Sequence, residues 1–315
     1  MAEPHPIAGA PAAAPAVAGA DASSDEGSSF VEGLLREVRA GGYRPGAWWR
    51  FFARSWQRSR TTARAHPRLV RDWAWTSGGI AGATLAALAL EWRAGHTTRA
   101  GRAMPWVGLG LAAHAADVYA HLGMNATTRG GAVYETLAAG TRLTMVRQAV
   151  AAWLWGHLLA GARLTRPALM AALALASATD LADGAIARRT HHTTHLGAYL
   201  DGMADLSVSL ALALALRRRR LIARWFLAAL AGRWLVPFGG ALYQYFARAR
   251  PVPLRASRWG KVAGAAQHVA LALAVMPNGG HARLARARRW GQAIAAASLV
   301  AAPLAHLRAI RPREP

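Results

Sequence analysis

Four aspartates carry the chemistry that this sequence has to offer. Asp180, Asp183, Asp201 and Asp205 fall close together, although the chain of 315 residues holds only eight aspartates. The first two stand in Asp180-Leu-Ala-Asp183-Gly184-Ala-Ile-Ala187-Arg188, the others in Gly197-Ala-Tyr-Leu-Asp201-Gly-Met-Ala-Asp205. On a helix, Asp180, Asp183 or Gly184, and Ala187 share a face, and Gly197, Asp201 and Asp205 recur at four-residue steps on another. A helical hairpin would turn the two faces toward each other. Four carboxylates meeting at a membrane boundary repel one another and need cations. An all-oxygen ligand set suits hard divalent ions, Mg²⁺ or Mn²⁺, and suits zinc poorly. Two such ions bridged by aspartates could hold a diphosphate and stabilise charge on attacking and leaving oxygens. Gly184 and Gly197 let a bulky ligand approach the backbone. Arg188 offers a fork for phosphate oxygens.

The elements that must position these residues read as membrane helices. Hydrophobic residues make up 54% of the chain, yet its formal charge is +23. Runs of Ala, Leu and Val separated by arginine clusters point to spans joined by basic loops. Apolar segments lie at about 75–92, 104–122, 148–162, 167–182, 197–216, 221–246, 260–276 and 288–307, several of them shorter than the roughly 20 residues of a full crossing. The expectation is an all-α polytopic bundle of eight spans, two extra ones at 75–122 and then a core of six. Ahead of them, residues 1–30 are rich in Ala, Pro, Gly, Ser and acids and read as a disordered tail. Within 31–74, Trp48, Phe52 and Trp56 recur at helical spacing opposite Arg50, Arg54 and Arg58, as in a cationic helix lying in the membrane interface. Residues 308–315 form a basic C-terminal tail.

Charge sets the partners. The arginines flank apolar runs instead of forming a stripe through a soluble fold, which favours membrane lipids and anionic substrates over nucleic acid. Cysteine is absent, so disulfides and thiolate metal sites are excluded. The basic segment before Trp75 favours a cytoplasmic N-terminus. Arg217 to Arg220 would then face outward, against the same rule.

The pattern D-x-x-D-G-x-x-A-R, eight residues, then G-x-x-x-D-x-x-x-D resembles the signature of the CDP-alcohol phosphatidyltransferase family, and every fixed position is present. The likeness extends over about 140–307. Thr141-Arg-Leu143-Thr144-Met-Val-Arg147 is similar to the N-x-L-T-x-x-R start of the family's first core helix, with Thr141 in place of Asn. Gly260-Lys261-Val-Ala-Gly264-Ala-Ala-Gln267 is similar to the G-K-x-x-T-x-x-Q element of members that act on glycerol phosphate or phosphatidylglycerol, with Gly264 in place of Thr.

The resemblance implies six core helices, a homodimer, and a site at the cytoplasmic end of an integral protein of, we expect, a bacterial cell membrane. Asp180, Asp183 and Asp201 would ligate two divalent ions, Mg²⁺ or Mn²⁺. Asp205 would lie close to the metals and serve as general base. Gly184, Ala187, Arg188 and Gly197 would hold the CDP portion. Lys261, the one lysine of the chain, and Arg147 are candidates to meet the acceptor or a phosphate. The implied reaction moves a phosphatidyl group from CDP-diacylglycerol to a polar alcohol in phospholipid synthesis and releases CMP. Glycerol 3-phosphate leads as acceptor, with inositol phosphate or phosphatidylglycerol next. The alternatives are a soluble CDP-alcohol donor or a catalytically silent membrane scaffold.

His114, Asp117 and His121 share a helical stripe in the second apolar segment and read as an interhelical hydrogen-bond network, with a second site as the other possibility. His191, His192 and His195 fall between the aspartate helices and read as a solvated loop.

Overall fold

In lipid every backbone amide must be satisfied within its own segment, so apolar runs of this length fold as helices. The computed structural model describes residues 20–93, 97–126, 133–190, 193–248, 258–277 and 282–310. Among them are ten α-helices: α1 (Ala20–Ala40), α2 (Pro45–Ala65), α3 (Pro67–Arg93), α4 (Thr97–Ala120), α5 (Ala139–Leu159), α6 (Arg166–Thr190), α7 (His195–Arg218), α8 (Arg224–Leu242), α9 (Arg258–Val275) and α10 (Ala282–Ile310). A single π turn, Tyr243–Ala247, prolongs α8. The all-α class is as the sequence implies. One expectation is corrected: α1 begins at Ala20, so residues 20–30, assigned above to the tail, are helical. Residues 1–19 lie outside the described residues.

Sequence punctuation sets the boundaries. Pro45 and Pro67 each open a helix, where the missing N–H costs nothing. The Thr194 hydroxyl caps α7 by accepting the Gly197 N–H at 3.0 Å. Gly161, at φ +73°, closes α5: its N–H reaches the Leu158 carbonyl and that of Ala162 reaches His157.

All eight apolar segments lie on helices α3 to α10. Three of these are long and apolar enough to cross a bilayer unaided: Arg166–Ile186, His195–Arg218 and Arg224–Ala247. Helices α4 and α5 fall short where Asp117 and Arg147 interrupt them, and α3 where Trp73, Trp75, Thr76, Ser77 and its glycines dilute the apolar run. Among the described residues, the three long apolar helices mark an integral membrane protein.

The largest core joins α5 through α10 around Leu154, Leu169, Leu212, Phe226, Leu271 and Leu299, all buried. A second cluster, with Leu69, Val118, Met145 and Leu200, fastens α3 and α4 to α5 and α7. Small residues let α4 and α5 come close: a Cβ on Gly156 would collide with Val107, and Gly110 faces the Ala152 methyl. Because consecutive helices run antiparallel, the C-terminal ends of α4, α6 and α8 and the N-terminal ends of α3, α5, α7 and α9 gather at one end of the bundle. Helix α2 runs along that end. Its Trp48 and Phe51 rings meet Phe246 beyond α8, and its Ser59 hydroxyl donates to the Ala120 carbonyl of α4 at 2.7 Å.

Candidate active site

The shared end of α5, α6 and α7 holds the four aspartates. Helix α6 runs unbroken past Asp180 and Asp183 to Thr190, and α7 starts at His195, so a tight hairpin turns the two carboxylate faces toward each other. The side chain that gathers them comes from α5. Arg147, 1% exposed, pairs with Asp180 and Asp201 at 2.9 Å, with Asp183 at 3.5 Å, and with Asp205. One planar guanidinium thus joins three helices, as its fork of donors permits. Four carboxylates around one guanidinium still leave a formal surplus of negative charge.

The four acids are not equivalent. Oxygens of Asp180, Asp201 and Asp205 lie within 4.8 Å of one another, close enough to hold one cation together. Asp183 stands to the side, where its Oδ2 accepts the Thr144 hydroxyl at 2.9 Å. Asp201 Oδ1 is buried and accepts no bond of hydrogen-bond geometry, although Arg147 lies near it. Asp180 and Asp201 keep 45% and 44% of their side-chain surface exposed, so a ligand can reach the cluster. Hard oxygen donors with a charge surplus and an open side fit a divalent cation.

The glycines serve packing as well as access. A Cβ on Gly197 would come within 3.1 Å of the Thr141 and Thr194 hydroxyl oxygens. Gly197 therefore sets how closely α7 approaches the start of α5, at the position where Thr141 replaces Asn. Gly140, which no sequence pattern singled out, abuts Asp183. Gly184 is half-buried on α6. The side chains of Ala187, Arg188 and Lys261 lie outside the described residues, as do His191 and His192.

A second layer flanks Asp205. Arg233, in the apolar middle of α8, donates to Gln267 Oε1 and, at 3.1 Å, to the Gly260 carbonyl. Gln267 in turn donates to the Ser209 hydroxyl, one helical turn beyond Asp205, at 2.6 Å. A Cβ at Gly264 would lie 3.3 Å from Arg233 Nη2, so the Gly260–Gln267 element and Arg233 form one unit. Arginine in an apolar span is the signal that could have disclosed this residue from sequence. Arg147 differs from expectation in its surroundings: its guanidinium meets the aspartates.

Fold and site together define a class, an integral membrane transferase of substituted phosphate groups. The chain belongs to the CDP-alcohol phosphatidyltransferase family, whose model matches residues 137–304, more than half of its length. The family moves such groups from a CDP-alcohol to an alcohol, in phospholipid synthesis, and uses divalent metal ions. Helices α1 to α4 lie outside the matched region. No curated protein and no solved structure matches the chain.

Proposed function

We propose that the protein transfers a phosphatidyl group from CDP-diacylglycerol to a polar alcohol, with glycerol 3-phosphate as the favoured acceptor. The observation that carries this is the convergence of Asp180, Asp201 and Asp205 around a partly open cleft at one end of the bundle. A lipid donor suits such a place, since its acyl chains stay in the bilayer while the diphosphate reaches the carboxylates. The glycerol 3-phosphate assignment rests on the Gly260–Gln267 element, which packs beside Asp205 through Arg233 and Ser209.

Asp180, Asp183, Asp201 and Asp205 are the residues to hold two Mg²⁺ or Mn²⁺ ions. Bound there, the ions supply charge neutralisation on the diphosphate and on the departing CMP oxygen. Asp205 takes the proton of the acceptor hydroxyl as its oxygen attacks the phosphorus distal to cytidine. The bond from that phosphorus to the bridging oxygen breaks, and CMP leaves with the oxygen. Arg147 holds Asp205 Oδ1, which leaves Oδ2 for the proton. Gly184, Ala187, Arg188 and Gly197 cradle the CDP portion, and Lys261 meets the acceptor phosphate. Helix α2 lies in the membrane interface: Trp49, Phe52 and Trp56 are exposed on it and are flanked by arginines. The setting is the cytoplasmic side of a bacterial cell membrane, and the protein acts as a homodimer.

Labelled CDP-diacylglycerol, Mg²⁺ and a panel of acceptors test this reading. The expected result is CMP release that depends on glycerol 3-phosphate and a labelled lipid product carrying its phosphate. Turnover with inositol phosphate or phosphatidylglycerol alone would replace the acceptor. Turnover only when a soluble CDP-alcohol is supplied with a lipid alcohol would overturn the donor.

A further inference from the structure

Helices α3 and α4 precede the family's core, yet α4 is bonded to α7, which carries Asp201 and Asp205, and α3 to α5, which carries Arg147. On α4, Asp117 Oδ1 accepts the Tyr199 hydroxyl of α7 at 3.1 Å. His121, one turn on, comes within 3.1 Å of the same oxygen, and its ring lies against that of Tyr199 with centroids 4.5 Å apart. On α3, both Asp72 oxygens meet Arg142 of α5, at 2.8 and 3.0 Å, and Oδ2 also accepts the Leu137 N–H just before α5. Between these contacts the apolar side chains of Leu69, Val118, Leu122 and Leu196 are fully buried, so the polar bonds sit on a packed seam.

The position of Tyr199 gives this bond its consequence. Asp201 stands two positions further on, which on a helix is close to a half turn. Tyr199 therefore faces α4 while Asp201 and Asp205 face Arg147 on α5. A bond on one side of α7 fixes the rotation of the helix and, with it, the direction of the carboxylates on the other side. The tolerance is small, since metal ligands and reacting groups need placement within about 0.5 Å.

We propose that the α3–α4 hairpin is a positioning element for the metal-holding carboxylates, with Tyr199 and Asp117 as its principal residues and Asp72 as a second brace on α5. The proposal rests on the reading of the four aspartates as metal ligands. Tyr199 and Asp117 touch neither metal nor substrate; they act through the rotation of α7. Outer partners of metal ligands commonly change affinity by about ten- to a hundredfold when removed.

The test uses the 315-residue chain in lipid nanodiscs, with Mg²⁺ affinity measured by calorimetry and the rise in melting temperature on adding Mg²⁺ as a second readout. Tyr199→Phe and Asp117→Ala should each weaken Mg²⁺ about tenfold. The double variant should be no worse than either single one, because both remove the same bond. Asp117→Asn keeps a carbonyl oxygen for the Tyr199 hydroxyl and should hold Mg²⁺ affinity within about threefold of the parent. Melting temperature measured without Mg²⁺ should fall only slightly in Tyr199→Phe, by what one hydrogen bond contributes, while the Mg²⁺ response is lost in large part.

Unchanged Mg²⁺ affinity in Tyr199→Phe would overturn the proposal, as would effects that multiply in the double variant. A fall in metal-free melting temperature with the Mg²⁺ response intact would also overturn it, leaving the bond a purely structural one. Failure of the donor reading looks different: Mg²⁺ would bind the parent and respond to Tyr199→Phe while CDP-diacylglycerol gave no CMP.

Discussion

Two polar clusters sit between helices at the same end of this bundle, and their charge balance differs. In the first, Asp180, Asp183, Asp201 and Asp205 share the one guanidinium of Arg147. In the second, the single carboxylate of Asp117 meets the Tyr199 hydroxyl and His121, whose imidazole balances it when protonated. A buried charge costs several kcal/mol unless compensated, so a surplus of carboxylates is relieved either by a proton or by a bound cation. The balanced cluster needs nothing further and works as a strut. The unbalanced one can hold a divalent cation, and its open side admits one.

The comparison breaks most readily on removal of divalent ions. A chelator should abolish CMP release completely, and added Mg²⁺ should restore it, because the charge surplus is then left without its cations. Activity that survived exhaustive chelation would remove the distinction between the clusters.

Arg147→Met comes next in size. Taking one partner from a buried ionic group typically costs about 3–5 kcal/mol, and here it leaves four carboxylates facing one another. Thermal melting without divalent ions should fall accordingly, and Mg²⁺ should raise the variant's melting temperature by more than it raises the parent's. A variant that melts like the parent in chelator would show that Arg147 is not the counter-ion of the cluster. In the balanced cluster, Asp117→Asn keeps the acceptor for Tyr199 and should cost only about 1 kcal/mol, measured the same way.

The smallest effect concerns the layer beside Asp205. Gly264→Thr would complete the G-K-x-x-T-x-x-Q pattern that this stretch resembles but put its Cβ within 3.3 Å of Arg233 Nη2. Arg233 would have to shift away from Gln267, and we expect KM for glycerol 3-phosphate to change several-fold with kcat nearly constant. An equal fall in kcat and kcat/KM would instead place Arg233 in the transition state.

How much of this was legible in the sequence follows from contact range. The aspartate signature could be read because helical spacing of three and four residues is local, and the two halves lie one short hairpin apart. The helical class was legible for the same reason, from apolar run lengths. Arg147 was noticed as a motif residue, but its place among the carboxylates was not, since the contact spans 33 to 58 positions and depends on how α5 packs. Tyr199 occupies a variable position of the signature, where no pattern marks it. The spacing of His114, Asp117 and His121 implies an interhelical network, and the structure supplies the partner, Tyr199, that spacing could not name. The helix at residues 20–30 was hidden by a composition rich in Ala, Ser and Gly, which mimics a tail.

The most direct test of the central claim compares the parent with Asp205→Asn for Mg²⁺-dependent release of CMP from CDP-diacylglycerol, with Mg²⁺ binding measured on both. Loss of a general base typically costs about 10²- to 10⁴-fold. We expect CMP release to fall by about a thousandfold or more while the variant still binds Mg²⁺ and melts cooperatively. CMP release by Asp205→Asn at the parent's rate would contradict the account.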